Sequence, residues 1–420
     1  MIKSSQRGTP ALLQVHEAQE KMVALVVPTK SEVLHLTQAV GRIIAGAHAS
    51  KRNCPPWDNS AMDGFALRMD DIASATPESP IRLKLVGEVA CGDTSEPSFE
   101  LPPACTLRIM TGAVVPPGAD AVVIKENTRL ETQGEDTFVI FEGPAKRHAN
   151  IRFAGEDVAQ GAVVGDDGNC ITPARLSLLA SAGFAQVEVY QKPKIALIAS
   201  GSELAPLGVE PAPHQIINSN IHAVAAALES AGASVRLLGI ATDTLDAHVA
   251  LMSSALEDEW VVTIGGVSMG EKDWVRPALT QMNAEQIFWK VAMRPGKPLV
   301  FARKERQLFV GLPGNPVSAL VGTELFLKPM IRRAQNRHKL FKTPVWAELS
   351  NEAPIKKRAD FKTYFRAKVD FGSQPPKALA LTKQSSGQIS GLAAANALLV
   401  APVGPESIAP GEPVQVLPFS

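Results

Sequence analysis

The sequence predicts a multidomain α/β protein built around a doubly wound, parallel-type sheet. Two observations carry this. Between residues 195 and 312, continuous apolar runs alternate with helical periodicity, the pattern of strands buried on both faces and joined by crossover helices. The flanking stretches lack that pattern and are rich in Pro, Gly and Thr, as small β-domains are. A chain of 420 residues also exceeds the roughly 250–300 residues at which single cores stop growing, so several domains are expected.

The elements follow in order. Residues 11–26 read as a helix with Leu12, Leu13, Val15 and Ala18 toward one side. Residues 30–45 read as a second, with Val33, Leu34, Leu36, Val40 and Ile43 at helical intervals. From 55 to 149 come short apolar runs such as Leu-Lys-Leu-Val at 83–86 and Ala-Val-Val-Ile at 121–124, which predict a β-rich domain. A short helix carrying Leu176, Leu178 and Leu179 stops at Gly183. The run Ile-Ala-Leu-Ile-Ala at 195–199 is then a buried strand, followed by a helix with Ile221, Val224, Ala225 and Leu228 that ends near Gly232. Residues 235–240 form the next strand, with a helix opening at Asp243. Trp-Val-Val-Thr-Ile at 260–264 is a third strand and ends in Gly265-Gly266. A helix over 273–282 leads to further strands at 287–291 and 308–312. Residues 344–420 have many prolines and alternating runs such as 414–417, which fit a small β-barrel or sandwich.

Composition excludes some functions. Lys+Arg and Asp+Glu are 42 each, with no basic stripe, so nucleic-acid binding is not expected. Cys54, Cys91, Cys105 and Cys170 form no C-x-x-C pair, which argues against a zinc site and a dense disulfide framework. The first residues hold no apolar signal core, and nowhere do about 18 apolar residues run together. A cytoplasmic protein that does not enter membranes is expected.

In an open parallel sheet, ligands bind beyond the carboxyl ends of the strands. There stand Ser-Gly-Ser-Glu-Leu at 200–204, Thr-Asp-Thr at 242–244, Gly-Gly-Val-Ser-Met-Gly-Glu-Lys-Asp at 265–273 and Pro-Gly-Asn-Pro at 313–316. Glu203, Asp243 and Asp273 would converge on one rim and suit a hard cation such as Mg²⁺. Gly265, Gly266 and Gly270 would let backbone N–H groups approach an anion. Each has a plainer reading alone: Asp243 as a helix N-cap, Glu203 as a solvated loop residue, Gly-Gly as a turn. Their joint occurrence on successive strand ends favours a site. Asn315-Pro316 is a natural N-cap with proline at the first helical position, and it aims a helix N-terminus at the same rim, where free N–H groups favour an anion. Lys290, Arg294 and Lys297 suit a phosphate or oxyanion; the alternative is a solvated basic loop.

Six segments together resemble the MoeA family of molybdopterin molybdenumtransferases, related to the E domains of gephyrin and of the plant enzyme. They are Pro-Trp-Asp-Asn-Ser-Ala-Met-Asp-Gly-Phe-Ala at 56–66, Arg-Ile-Met-Thr-Gly-Ala at 108–113, Gly-Glu-Asp-Val at 155–158, the run 265–273, Arg-Pro-Gly-Lys-Pro at 294–298, and Gly-Leu-Pro-Gly-Asn-Pro-Val-Ser at 311–318. They span nearly the whole chain in the family's order. The resemblance implies four domains in an L-shaped protomer of a homodimer. These are a discontinuous α/β linking domain (1–54 and 150–190), an inserted β-rich domain (55–149), a MogA-like molybdopterin-binding domain (191–340) and a C-terminal β-barrel (341–420). It implies that adenylylated molybdopterin is hydrolysed with Mg²⁺ or a similar cation while molybdate is loaded onto the dithiolene. A MogA-type adenylyltransferase and molybdoenzyme apo-proteins are the implied transient partners.

Carried over by motif, Asp63 and Thr111 belong to a cleft contributed by the second domain, and Asp157 joins the catalytic set. Glu203, Asp243 and Asp273 would hold the cation and the adenylate phosphate, and Ser268 would lie near the nucleotide. Gly265 and Gly266 would contact substrate, while Lys290, Arg294 and Lys297 would meet pterin phosphate or molybdate. Pro313, Asn315 and Pro316 would shape that pocket. Ser386 and an arginine, Arg358 or Arg366, resemble the oxyanion-binding pair. The chain departs from the pattern at three places. Ser202 stands where many relatives have Asp or Asn, and Arg294 where some have Lys, which keeps the charge and gains a bidentate fork. The run 357–366 is longer than the usual Gly-Arg-x-x-Phe-x-Arg, which leaves both arginines open. Within 58–64, Asp58-Asn59-Ser60 reads as the turn-builder, Asp63-Gly64 as a turn pair in its own right, and Asp63 as the functional carboxylate. Two other functions compete. Adenylyl transfer by the third domain alone is opposed by the 59–63 segment and the fourth domain. A gephyrin-like scaffold is opposed by the lack of a second module.

Overall fold

The computed structural model describes residues 12–92, 100–255, 257–268, 270 and 273–419. The expected start of the first helix at Ala11, and Met269, Glu271 and Lys272 of the glycine-rich loop, lie outside them.

The centre is a six-stranded sheet in the order Ser234–Ala241, Lys194–Ser200, Trp260–Ile264, Gln307–Leu312, Val300–Lys304, Glu285–Trp289. The first four strands are parallel. Ile195, Ala196, Leu197 and Ile198 are each 0% exposed because helices cover both faces of the sheet. Helix Ser219–Ser230 buries Ile221, Val224, Ala225 and Leu228 on one side, while Leu245–Ser253 and Val275–Gln281 pack on the other. Each large aliphatic side chain removed from water stabilises the layers by about 1.5–3 kcal/mol.

Two expectations need correction. The sheet is not uniformly parallel, because Val300–Lys304, which the apolar pattern did not single out, runs antiparallel to both neighbours. Only Glu305 and Arg306 join it to Gln307–Leu312, and a two-residue link makes a hairpin where a parallel pair needs a long crossover. Glu305 accordingly takes φ 54°. The helix expected over 30–45 is absent as well. Ser31–His35 is a strand paired antiparallel with Gln186–Tyr190, followed by one 3₁₀ turn, Leu36–Gln38. Val33, read as part of an apolar stripe, is 62% exposed. Pairing with a distant strand overrides a weak local periodicity.

That pairing and the one between His48–Ala49 and Val163–Gly165 close the segments on either side of residues 55–149 onto each other. Between them lies a second six-stranded sheet, in the order Ala121–Ile124, Gly64–Leu67, Cys105–Ile109, Ile81–Val89, Asp136–Phe141, Thr128–Gln133. At the C-terminus, Val345–Leu349, Lys362–Asp370, Lys377–Ala380, Ala397–Ala401 and Pro413–Pro418 form a five-stranded barrel. Pairing of Lys362–Asp370 with Ala397–Ala401 closes it. Met293–Arg294 pairs with the same barrel strand and joins the central unit to the barrel. Among the described residues, no helix is long and apolar enough to cross a membrane.

A polar knot ties the first domain to the central one. Asp167 accepts hydrogen bonds from Tyr190 Oη at 2.8 Å, Asn336 Nδ2 at 2.6 Å and Gly46 N at 2.9 Å. Burial alone would raise its pKa, but these donors outweigh burial and hold the carboxyl below its ordinary 3.8. A depressed carboxylate adds stability above the unfolded-state value, and that stability is lost as pH falls through the folded one. Asp167→Asn should therefore lower the melting temperature at pH 7, and the gap to wild type should close as pH drops below about 4. A gap independent of pH in thermal melts would reject this account.

Candidate active site

The carboxyl edge of the parallel strands and the barrel together enclose a cleft of about 1120 Å³. Its floor is built by close backbone approach. A Cβ on Gly265 (φ 98°) would lie 2.6 Å from the Ser200 carbonyl oxygen, and one on Gly266 (φ 67°) would lie 2.7 Å from Ser200 Oγ. Glycine alone permits that chain path. The wall carries Arg294, Lys297, Lys356, Lys357 and Arg358 against two carboxylates, Glu203 and Asp273. Lys297 and Arg358 both lie by the Phe361 ring, at 5.4 and 4.9 Å from its centroid. Arg358 also forks onto Asp360 at 3.0 and 2.7 Å. Cations in excess in a cleft concentrate anionic ligands.

Pro313, Asn315, Pro316, Ser268 and Ser386 complete the lining. Asn315 precedes helix Pro316–Gly322, with proline at its start and no side-chain cap bond. The sequence left the free N–H groups of this helix to an anion. Instead, Val317 N donates to Ser386 O at 3.1 Å, so the barrel loop takes one of them. That loop is held from below by Arg366, which is 0% exposed. Its Nε donates to Lys383 O at 2.9 Å, and its Nη2 bonds both Lys383 O and, at 3.1 Å, Ser385 O. The Gln384 amide pairs with the Arg366 backbone in both directions, at 3.1 and 2.8 Å. The two arginines differ in position. Arg358, in the turn before the barrel strand, faces the cleft, whereas Arg366, inside that strand, supports the loop.

The three carboxylates expected on one rim do not group. Glu203 and Asp273 line the cleft and Asp243 does not. Among the described residues no three His, Cys, Asp or Glu side chains are placed to hold a metal ion. Asp243 follows the edge strand of the sheet, and its N–H donates to Ser202 Oγ at 3.1 Å. Thr244 caps the next helix instead, accepting from Ala247 N at 3.3 Å. Asp273 folds its own loop, since Oδ2 accepts from Gly270 N at 2.5 Å. Lys290 is also off the lining, with its ammonium 3.8 Å from the Trp289 ring centroid. Sequence reasoning missed Lys356, Lys357 and Ser200. The basic run 356–358 was a usable signal for the first two.

Asp157 lines a separate cavity of about 450 Å³ with Cys54, Arg152 and Glu156. Asp63 and Thr111 do meet, away from the cleft. Thr111 N and Oγ1 both donate to Asp63 Oδ1 at 2.8 Å, and Lys125 Nζ lies 3.6 Å from Oδ2. Thr111's backbone and hydroxyl bonds, with a smaller effect of Lys125, hold this carboxyl below the usual range. Asn59 Nδ2 donates to Trp57 O at 3.1 Å and Ser60 Oγ donates to Met62 O at 2.6 Å, so these two build the turn, whereas Asp58 Oδ1 accepts from the distant Ala154 N at 2.7 Å and ties the turn to that segment. Gly64 is not a turn glycine. It opens strand Gly64–Leu67, where a Cβ would strike the Val123 carbonyl oxygen.

Comparison with known proteins assigns the whole architecture. The description "MoeA N-terminal region (domain I and II)" matches residues 13–183, "Probable molybdopterin binding domain" matches 196–333, and "MoeA C-terminal region (domain IV)" matches 348–419. The chain is 34% identical to the molybdopterin molybdenumtransferase of Haemophilus influenzae, over 97% of this chain and 99% of that one. The chain belongs to the MoeA family. The Bacillus subtilis molybdopterin molybdenumtransferase is likewise 34% identical, over 98% and 95% of the two chains. A crystal structure of a MoeA protein from Pyrococcus horikoshii superposes with a TM-score of 0.84 at 27% identity, covering 98% of this chain and 100% of that one.

Two measurements check these assignments. Thr111→Val removes one donor to Asp63 and should raise its carboxyl pKa toward 3.8 in a carbon-detected NMR titration; an unmoved Asp63 would contradict the pairing. Arg366→Met leaves carbonyls of the barrel loop unpaired and should cost about 1–3 kcal/mol in denaturant unfolding, while Arg358→Met, on the surface, should cost far less.

Proposed function

We propose that this chain is a molybdopterin molybdenumtransferase that hydrolyses adenylylated molybdopterin and inserts molybdate into the dithiolene, giving molybdenum cofactor. The observation that carries this reading is the cleft itself, where a glycine-built floor meets a wall of five cations, Arg294, Lys297, Lys356, Lys357 and Arg358. Such a site suits a ligand with phosphate groups and a tetrahedral oxyanion together. Arg294 and Lys297 would hold the pterin phosphate, and Arg358 with Ser386 would hold molybdate. Fixed cations on this wall would stabilise the charge that develops as the adenylate leaves.

The residues present fit Mg²⁺ as a substrate-bridging ion, since it takes one or two carboxylates plus phosphate and water oxygens. Glu203 and Asp273 are the carboxylates that would hold it. Bound there, the ion would neutralise phosphate charge. Asp63 and Thr111 would act as a pair presented to the cleft of a second copy, beside the exposed Trp57 and Met62, which are 51% and 43% accessible. The functional unit in this reading is a cytoplasmic homodimer that receives its substrate from a MogA-type adenylyltransferase and passes product to molybdoenzyme apo-proteins.

Purified protein should release AMP from adenylylated molybdopterin only when molybdate and Mg²⁺ are both present; release without molybdate would overturn the reading. Arg358→Ala should raise the molybdate concentration for half-maximal activity about ten- to hundred-fold, the worth of one charged hydrogen-bond set.

A further inference from the structure

Where strand Lys194–Ser200 meets the cleft, a buried pair of side chains lies outside the roles given above. His248, on helix Leu245–Ser253, is 0% exposed, and Ser200 is 7% exposed. His248 Nε2 lies 2.8 Å from Ser200 Oγ, and His248 Nδ1 lies 2.8 Å from Thr244 O. A carbonyl oxygen only accepts, so Nδ1 carries the ring proton. In the neutral imidazole with its hydrogen on Nδ1, Nε2 is the bare acceptor facing Ser200 Oγ. Ser200 must then turn its hydrogen inward.

This fixes what Ser200 offers the cleft. With its one hydrogen held by His248, the hydroxyl presents lone pairs only, and among the described residues Oγ makes no other hydrogen bond. Glu203, the next acceptor along the same loop, folds its carboxylate back over Gly201, where a Cβ would strike it. The Ser200 and Glu203 side chains at this strand end are therefore acceptors, while Arg294, Lys297 and Arg358 on the wall are donors.

We propose that His248 is a positioning residue that locks Ser200 as a hydrogen-bond acceptor, so that this corner recognises a donor group on the ligand and disfavours a phosphate oxygen. The donor is either a sugar hydroxyl of the nucleotide or a water on a bound cation. Ligand orientation follows: anionic groups lie toward the barrel, and the hydroxyl-bearing or hydrated part lies at Ser200. The ligand half of this proposal rests on the cleft being the nucleotide site proposed above.

The first test is ¹⁵N NMR of the histidine rings in the full chain, with His248 assigned by the signal lost in His248→Gln. A protonated Nδ1 and bare Nε2 at neutral pH are expected, and an Nε2–H tautomer or an imidazolium overturns the proposal. The second is calorimetric binding of AMP and its 2′- and 3′-deoxy analogues, with and without Mg²⁺. Ser200→Ala should weaken AMP about fivefold, the worth of one hydrogen bond. If a sugar hydroxyl is the donor, the analogue lacking it should show no further loss in the variant. If a metal-bound water is the donor, the loss should appear only with Mg²⁺ and equally for all three nucleotides.

His248→Phe should mimic Ser200→Ala, and His248→Gln, which keeps an acceptor near the Nε2 position, should restore much of the affinity. An unchanged or tighter AMP affinity in Ser200→Ala overturns the proposal, and that variant suffices if His248→Phe does not fold. Wild type that binds no AMP overturns the functional reading together with the ligand half, whereas the wrong tautomer overturns the positioning role alone.

Discussion

The cleft exists because the barrel loop is clamped onto the helix that follows the last parallel strand. Arg366 is buried under that loop with its donors on the Lys383 and Ser385 carbonyls, and Ser386 O in turn receives Val317 N. A buried guanidinium is retained at a cost unless its hydrogens are used; here Nε and Nη2 are spent on backbone, while Nη1 is left without a partner among the described residues. The loop is thereby fixed relative to the glycine floor, and the cations on the barrel turn face those on the central unit across a set distance. Were the clamp absent, the five cations would sit on two separately moving surfaces, and preorganisation toward an anion would be lost.

The charge pattern of the cleft is asymmetric. Its cations come from two short runs, 294–297 and 356–358, on the central unit and the barrel. Its acceptors, Glu203, Asp273 and the Ser200 hydroxyl, stand at the strand ends and the loops that follow them. Under the acceptor role proposed for Ser200, a ligand with one phosphorylated or oxyanionic end and one hydroxylated end would enter in one sense. Asp63 and Thr111, tightly bonded to each other, stand away from this cleft.

Much of the central unit was legible because its signals are long and redundant. Five consecutive apolar residues at 195–199, and the buried stripe Ile221, Val224, Ala225 and Leu228, leave few alternatives. The failures are equally physical. Val33 and Leu34 fit a helical spacing by chance, and only the pairing of Ser31–His35 with Gln186–Tyr190, some 150 residues away, decides their state. The rim was predicted from strand order along the chain, but Asp243 follows a strand that lies at the sheet edge, and lateral order is not written locally. Arg358 and Arg366 could not be told apart by type, because burial depends on which residue enters the strand. The Ser200–His248 pair was invisible for a similar reason: it joins a strand end to a helix face across 48 residues, with no motif around either.

The one reversed strand, Val300–Lys304, has a consequence for how the recognition surface assembles. Because it runs against its neighbours, Glu285–Trp289 can end at the cleft edge, the chain can dwell there over 290–299, and Gln307–Leu312 can return to the same edge within a few residues. Arg294, Lys297 and Pro313–Pro316 thus flank a meander of strands that are neighbours in the chain, although Arg294 itself pairs with the barrel. Closing such short loops costs little entropy, and contacts of low sequence separation form quickly. The strands that flank the anion-facing loops can therefore take shape from local pairing, and the barrel then completes the pairing of Met293–Arg294.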